Sequence, residues 1–320
     1  DGTLWGIGRN TLGQLGQNST STAKYSSPVQ IPGSTWDTVT MAGGQDIRCT
    51  KTDGTLWAWG SSYWGQAGQN TGHGGGQKDW SSPVQIPGTT WATGTNKHSY
   101  MGNGVIAIKS DNTLWTWGNN SNGCLGHNQN PATRKGYSSP VQVGGDSTWA
   151  SVISGSSETH TGAIKTDGTL WMWGRNEMGT LGQNNTTRYS SPVQIPGTNW
   201  VNGRFINQSM LLTRTDGTLW AIGGNSAGHL GQNNTINYSS PVQVGSGTNW
   251  HTDNFAGGYF FSVAAKTDGT LWSWGYNSQG QLGQGTASGA RISSPVQIPG
   301  QWSKLQSGGQ SMFAQMIGST

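Results

Sequence analysis

The stretch Asp268-Gly269-Thr270-Leu271-Trp272-Ser273-Trp274-Gly275-Tyr276-Asn277-Ser278-Gln279-Gly280-Gln281-Leu282-Gly283 decides the fold, because it is repeated. Its first five residues recur at Asp1, Asp53, Asp111, Asp167 and Asp216, with Asn112 for Gly in one copy, at intervals of 52, 58, 56, 49 and 52 residues. Each copy is followed by a second apolar position and Gly, then Gly-x-Leu-Gly (Ala67 for Leu in one copy), an insert of variable length, Ser-Ser-Pro-Val-Gln, a Gly-containing turn and a lone Trp. The lone Trp residues are Trp36, Trp91, Trp149, Trp200, Trp250 and Trp302. Self-similarity at this period signals an architecture of stacked supersecondary units. Within Thr55-Leu56-Trp57-Ala58-Trp59 the alternation puts both Trp on one face and Leu56 and Ala58 on the other. Both faces are apolar, so the strand must be sandwiched.

Four short strands can be read in each unit. The first follows the lone Trp, the second precedes Asp-Gly, the third is Leu-Trp-x-Trp and the fourth contains Pro-Val-Gln. The turn Lys165-Thr166-Asp167-Gly168 joins second to third, with Gly available for a positive φ. The expected fold is all-β: a six-bladed β-propeller with four antiparallel strands per blade, forming a single domain over 1–320. Its blades would span about 34–88, 89–145, 146–197, 198–246 and 247–300, with 301–320 and 1–33 sharing a split blade that closes the ring.

The repeat Asp-Gly-Thr-Leu-Trp-x-Trp-Gly-x-Asn-x-x-Gly-Gln-Leu-Gly resembles that of the regulator-of-chromosome-condensation (RCC1-like) family in its bacterial and phage-like spelling. The resemblance covers all six units and implies a propeller, usually of seven blades. It does not imply one function. Members include a guanine-nucleotide exchange factor, a plant ultraviolet photoreceptor and a secreted β-lactamase inhibitor. The photoreceptor motif Gly-Trp-Arg-His-Thr is absent here.

Composition narrows the class. Charged residues make up 9% of the chain, yet it has 18 Trp, which excludes disorder. No run approaches about 20 apolar residues, so no membrane insertion is expected. No Met and no basic-then-apolar leader opens the chain, so a fragment or processed product is expected. Cys49 and Cys124 alone make neither a disulfide framework nor a metal site.

The chemical motifs have simpler readings. Sixteen of the Trp fall on the three repeated positions, leaving only Trp64 and Trp80 outside them, so they are read as core. Gly224-Asn225-Ser226-Ala227-Gly228 matches a nucleophile elbow, but Ser226 aligns with Ser121 and Ser278 and no helical pattern follows. His73, His98, His127, His160, His229 and His251 show no ligand spacing. By the resemblance, His98 and His160 are structural. No catalytic residue, metal or cofactor is expected.

Variation among units collects in the loops joining first to second and third to fourth strands, which share one face of the propeller. Loops on a rigid scaffold are where binding is built. The candidate ligand-binding residues on that face are Trp64, Lys78, Lys97, Tyr100, Arg134, Lys135, Arg188, Tyr259 and Arg291. Their charge makes the face mildly positive. The expected function is a non-catalytic recognition or adhesion module of a bacterial surface or phage virion. It would bind a surface glycan or a protein, outside the cell and as part of a larger polypeptide or assembly; nucleic acid is not expected. The alternatives are an intracellular small-GTPase regulator of the exchange type and a secreted enzyme inhibitor.

Overall fold

A computed structural model of the chain describes residues 2–19, 24–42, 45–71, 79–130, 136–155, 160–285, 289 and 291–317, with the backbone alone at 41, 42, 154, 155 and 308. The chain divides into two compact units, Asp1–Val152 with Tyr189–Pro192, and Ile153–Arg188 with Val193–Thr320. Among the described residues the only helix is the single turn Ser121–Gly123.

The first unit begins with the hairpin Leu4–Arg9 and Lys24–Ile31. Two four-stranded antiparallel sheets follow. One runs Trp36–Ala42, Asp46–Lys51, Leu56–Gly60, Trp80–Gln85; the other runs His98–Met101, Gly104–Ile108, Leu114–Asn119, Gly136–Gln142. In the second unit His160–Lys165 pairs with Leu170–Gly174. The sheet Trp200–Ile206, Ser209–Arg214, Leu219–Gly223, Tyr238–Gln243 comes next, with the short strand Ser154–Gly155 parallel to its edge. The sheet Trp250–Gly257, Phe261–Lys266, Leu271–Tyr276, Arg291–Ile298 and the hairpin Trp302–Gly308, Ser311–Met316 complete it. These are the strands the repeat predicts, in the predicted order.

Local chemistry explains why the repeat is spelled as it is. At the Asp-Gly turn, Asp216 Oδ1 accepts hydrogen bonds from the Thr218 backbone N–H at 3.0 Å and its hydroxyl at 2.6 Å, and Trp220 Nε1 donates to that hydroxyl at 2.8 Å. Gly217 sits at φ +74°, and a Cβ there would lie 2.2 Å from the Thr248 carbonyl, so only glycine fits. In the bend after the third strand, Asn225 Oδ1 accepts from Leu230 N–H at 2.9 Å, and Gln232 Nε2 donates to the carbonyls of Leu230 and Gln243. Asn10 and Gln17 repeat this arrangement in the first unit.

The core lies between neighbouring sheets. In the first unit Leu56, Ala58 and Ile86 of one sheet pack against Val105, Ala107 and Trp117 of the next. The indole of Trp117 donates to the Gln66 carbonyl at 2.9 Å, and Trp59 reaches the Gln14 carbonyl at 3.0 Å, so these second Trp latch onto the preceding repeat. In the second unit Leu211, Leu219 and Ala221 pack against Trp250, Phe255, Ala264 and Trp274. Lone Trp residues cluster with the first Trp of the motif beneath a cation: Arg214 stands 4.2 Å from both Trp200 and Trp220, and Lys109 stands 5.2 and 3.9 Å from Trp91 and Trp115. The basic residue two positions before the Asp of the turn, in each of the five copies that have one, is thus an aromatic cap.

One part of the expectation is not borne out. The four-stranded split blade that was to close a six-bladed ring is not formed as one sheet. The first and last hairpins each stand as a two-stranded sheet.

Candidate functional site

The turn between the first and second strands of the Trp250–Ile298 sheet carries Tyr259 and Phe260. Corresponding turns hold polar pairs such as Asn207-Gln208 and Gln310-Ser311. Here both aromatics project: Tyr259 is 57% exposed and Phe260 is 37% exposed. Phe260 adopts φ +62°, a left-handed conformation that a bulky side chain rarely takes. It is held there by hydrogen bonds on both sides. Tyr276 N–H donates to the Phe260 carbonyl at 2.8 Å, and Tyr259 N–H donates to the Gly309 carbonyl at 2.7 Å. The Phe260 ring lies edge-on to buried His229, with centroids 5.8 Å apart. Tyr276 pairs across the sheet with Arg291, which is exposed and has no ion-pair partner among the described residues. Tyr259, Phe260, Tyr276 and Arg291 therefore share one end of one sheet.

The other candidates do not join them as a single patch. Arg188 lies 3.8 Å from Glu177, which also pairs with Arg175, so its charge is partly answered. Those two arginines and the Arg175 hydrogen bond hold the Glu177 carboxyl below its ordinary range, the Arg175 bond contributing most. Lys97 is half-buried and its ammonium donates to the Ala150 carbonyl at 2.5 Å. Tyr100 lies within the strand His98–Met101 opposite Val105, half-buried, rather than at a loop tip. Trp64 stacks edge-on with exposed Tyr63 at 5.0 Å, a second aromatic pair, in the first unit. Lys78, Arg134 and Lys135 lie outside the described residues. Phe260, Tyr63 and Tyr276 were missed in the sequence, although Tyr259-Phe260 is the one turn of its kind with two aromatics.

The histidines behave as structure. His98 Nδ1 meets Thr40 Oγ1 at 2.7 Å, and His160 Nδ1 meets the Arg175 carbonyl at 3.0 Å. Burial pushes His98, His160 and His229 down to about 4, so all three are neutral at pH 7. His127 takes the place of the repeated Gln and bonds Thr116 Oγ1 at 2.9 Å. The strand Leu219–Gly223 leads into a turn at Ser226, not a helix, so no nucleophile elbow is built. Among the described residues no group of three or more His, Cys, Asp or Glu could hold a metal. No helix there is long and apolar enough to cross a membrane. A cavity of about 650 Å³ in the second unit is lined by polar groups including His251, Asp253, Lys266, Gln301 and Lys304.

A family model for the regulator of chromosome condensation (RCC1) repeat matches residues 1–49, 111–164, 167–206, 216–265 and 268–314, and a second model of that repeat matches 254–281. Among curated proteins, the chain is 25% identical over 347 residues to the E3 ubiquitin-protein ligase HERC2 of Homo sapiens, covering 89% of this chain and 7% of that protein. It is 34% identical over 99 residues to the RCC2 homolog of Danio rerio, covering 31% of this chain and 19% of that protein. The chain thus spans under a fifth of the length of these relatives. Among solved structures, human WBSCR16 superposes with a TM-score of 0.76 at 18% identity, covering 98% of this chain and 82% of that one. Prp20p of Saccharomyces cerevisiae, described with its binding to Gsp1p and histones, gives 0.73 at 18% identity, covering 98% and 77%.

Proposed function

The chain belongs to the regulator of chromosome condensation (RCC1) repeat family, and from that membership we propose that it is a non-catalytic binding propeller whose partner is another protein. The observation that carries this reading is the Tyr259–Phe260 turn with Arg291. Exposed aromatics and an arginine with no ion-pair partner among the described residues, together at one sheet end, are the composition of a binding hot spot. Within that class, regulation of a small GTPase is the first activity to test, since Prp20p, which shares the fold, is described with its binding to Gsp1p. Release of labelled GDP from purified Gsp1p and a panel of other small GTPases is the assay. Acceleration by the chain, lost in Tyr259→Ala with Arg291→Ala, supports the reading; no acceleration and no binding by any GTPase would falsify the exchange activity.

A second reading, recognition at a bacterial or virion surface, draws support from the low content of charge and the near-identical repeats. A glycan array distinguishes it: saturable binding to a glycan with no protein partner found would favour it.

A further inference from the structure

Several first strands leave register with the second strand just after their lone Trp. Trp36 faces Lys51 and Val39 faces Cys49, so one residue is looped out; Trp200–Ile206 and Trp302–Gly308 do the same. Trp250–Gly257 departs further. Trp250 faces Lys266 but Phe255 faces Ala264, so two more residues are looped out there. The enlarged bulge is pinned on both sides. The Thr213 hydroxyl donates to the Thr252 carbonyl at 2.8 Å. The Asn254 amide donates to the Ser303 carbonyl, and its Oδ1 accepts from Leu305 N–H at 3.0 Å. Bulges re-aim side chains and are enriched beside functional sites. Here His251, Asp253 and Asn254 of the bulge line the cavity of about 650 Å³.

The bulge presents a fixed pair. His251 Nδ1 lies 2.5 Å from Asp253 Oδ1, which orients the imidazole and commits that nitrogen, leaving Nε2 for a ligand. An exposed pair of this kind adds little to stability, so the fold does not require it. Lys304 of the neighbouring strand lines the same cavity and makes no ion pair among the described residues. The side-chain amides of Gln301 and Gln306, also in the lining, bond nothing among those residues either. By contrast Lys266 is committed to the rings of Trp250 and Trp272, and Asp268 to Thr270.

We infer that this cavity binds a neutral saccharide. Its uncommitted groups carry one negative and one positive charge, Asp253 and Lys304, so the site favours neither an anion nor a cation. The two amides offer donors and acceptors side by side, and each hydroxyl of a sugar both donates and accepts. A zwitterion would answer the two charges and leave the amides unpaired, which costs binding energy. Sites for apolar molecules are walled mainly by apolar side chains, whereas this wall is mainly polar at a volume usual for small ligands. The cavity lies at the Lys266 end of the strand Phe261–Lys266 and the aromatic turn at the other end, so the inference is independent of the protein-binding reading.

The test is an NMR titration of the isotope-labelled chain with glucose, galactose, mannose and N-acetylglucosamine, beside glycine and inorganic phosphate. At least one sugar should shift the His251 imidazole and the Asn254 amide saturably, and at lower concentration than glycine or phosphate does. Lys304→Ala and Asp253→Asn should each weaken that sugar at least about tenfold, the effect of losing one charged hydrogen-bonding group. Both side chains are exposed, so the variants keep the fold. Asp253 also positions His251, so Asp253→Asn should change the imidazole nitrogen shifts of the sugar-free chain. No protein partner enters the measurement, so this inference and the protein-binding reading can fail separately. A stronger response to glycine or phosphate than to every sugar overturns the ligand class. No shift at His251 with any probe, or sugar binding that persists in both variants, overturns the site.

Discussion

At Phe260 local preference and fold disagree. Its φ of +62° costs on the order of 1–3 kcal/mol for a residue of this kind, and backbone hydrogen bonds from Tyr276 and Tyr259 hold the turn in place. Asn tolerates this region, as Asn207 does at φ +52° in the corresponding turn. Phe260→Asn should therefore raise stability by about 1 kcal/mol in urea unfolding while weakening the partner's binding. A variant that is both less stable and equally well bound would show that the ring serves only its contact with His229. The buried histidines give a second prediction. His98, His160 and His229 fall from the ordinary 6.5 to about 4 because burial disfavours the charged form. The unfolded chain then binds more protons between those values. Stability is full above pH 6.5 and is lost as pH falls toward 4, with on the order of 3 kcal/mol at stake per histidine. Urea midpoints at pH 7 and pH 5 measure the slope; His160→Gln should flatten it.

At the scale of elements, the repeat is a set of reciprocal latches. The Trp117 indole is fully buried and donates to the Gln66 carbonyl of the preceding repeat. Trp117→Phe keeps most of the packing but leaves that carbonyl without the indole N–H and opens a void where half the ring system was. A loss of about 3 kcal/mol is expected, read as a lower urea midpoint at unchanged slope. If the loss is below about 0.5 kcal/mol, the latch is incidental to the packing. The same chemistry explains why the motif could be read so well before any coordinates. Asp-Gly-Thr, the Asn of the bend and the following Gln each bond within their own repeat, over a few residues to one strand pair, and local bonds leave a local signature.

For the whole molecule, the last hairpin covers Ala256, Val263, Ala265, Leu271 and Ile298 with Leu305, Trp302, Met312 and Ala314. Truncation after Gly300 should uncover that cluster, lower the thermal midpoint and promote aggregation. A truncated chain that melts as sharply at the same temperature would show that the hairpin adds nothing to its neighbour. Six repeats, their strands and their turns were determined by the sequence alone, because period, alternation and turn chemistry act between residues close in the chain. The core status of most of the repeated Trp was legible for the same reason; Trp5, 55% exposed, departs from it. What only the tertiary structure decided concerns groups that meet across sheets or loops. Lys97 is tied to Ala150, 53 residues away; Arg188 meets Glu177; Phe260 and Tyr276 join Tyr259 and Arg291 at one sheet end. Each end hairpin likewise forms a two-stranded sheet of its own, although the two sequences match the halves of one blade. A repeat specifies which strands can pair. Whether two distant edges do pair depends on where the whole chain carries them, and no short-range pattern records that.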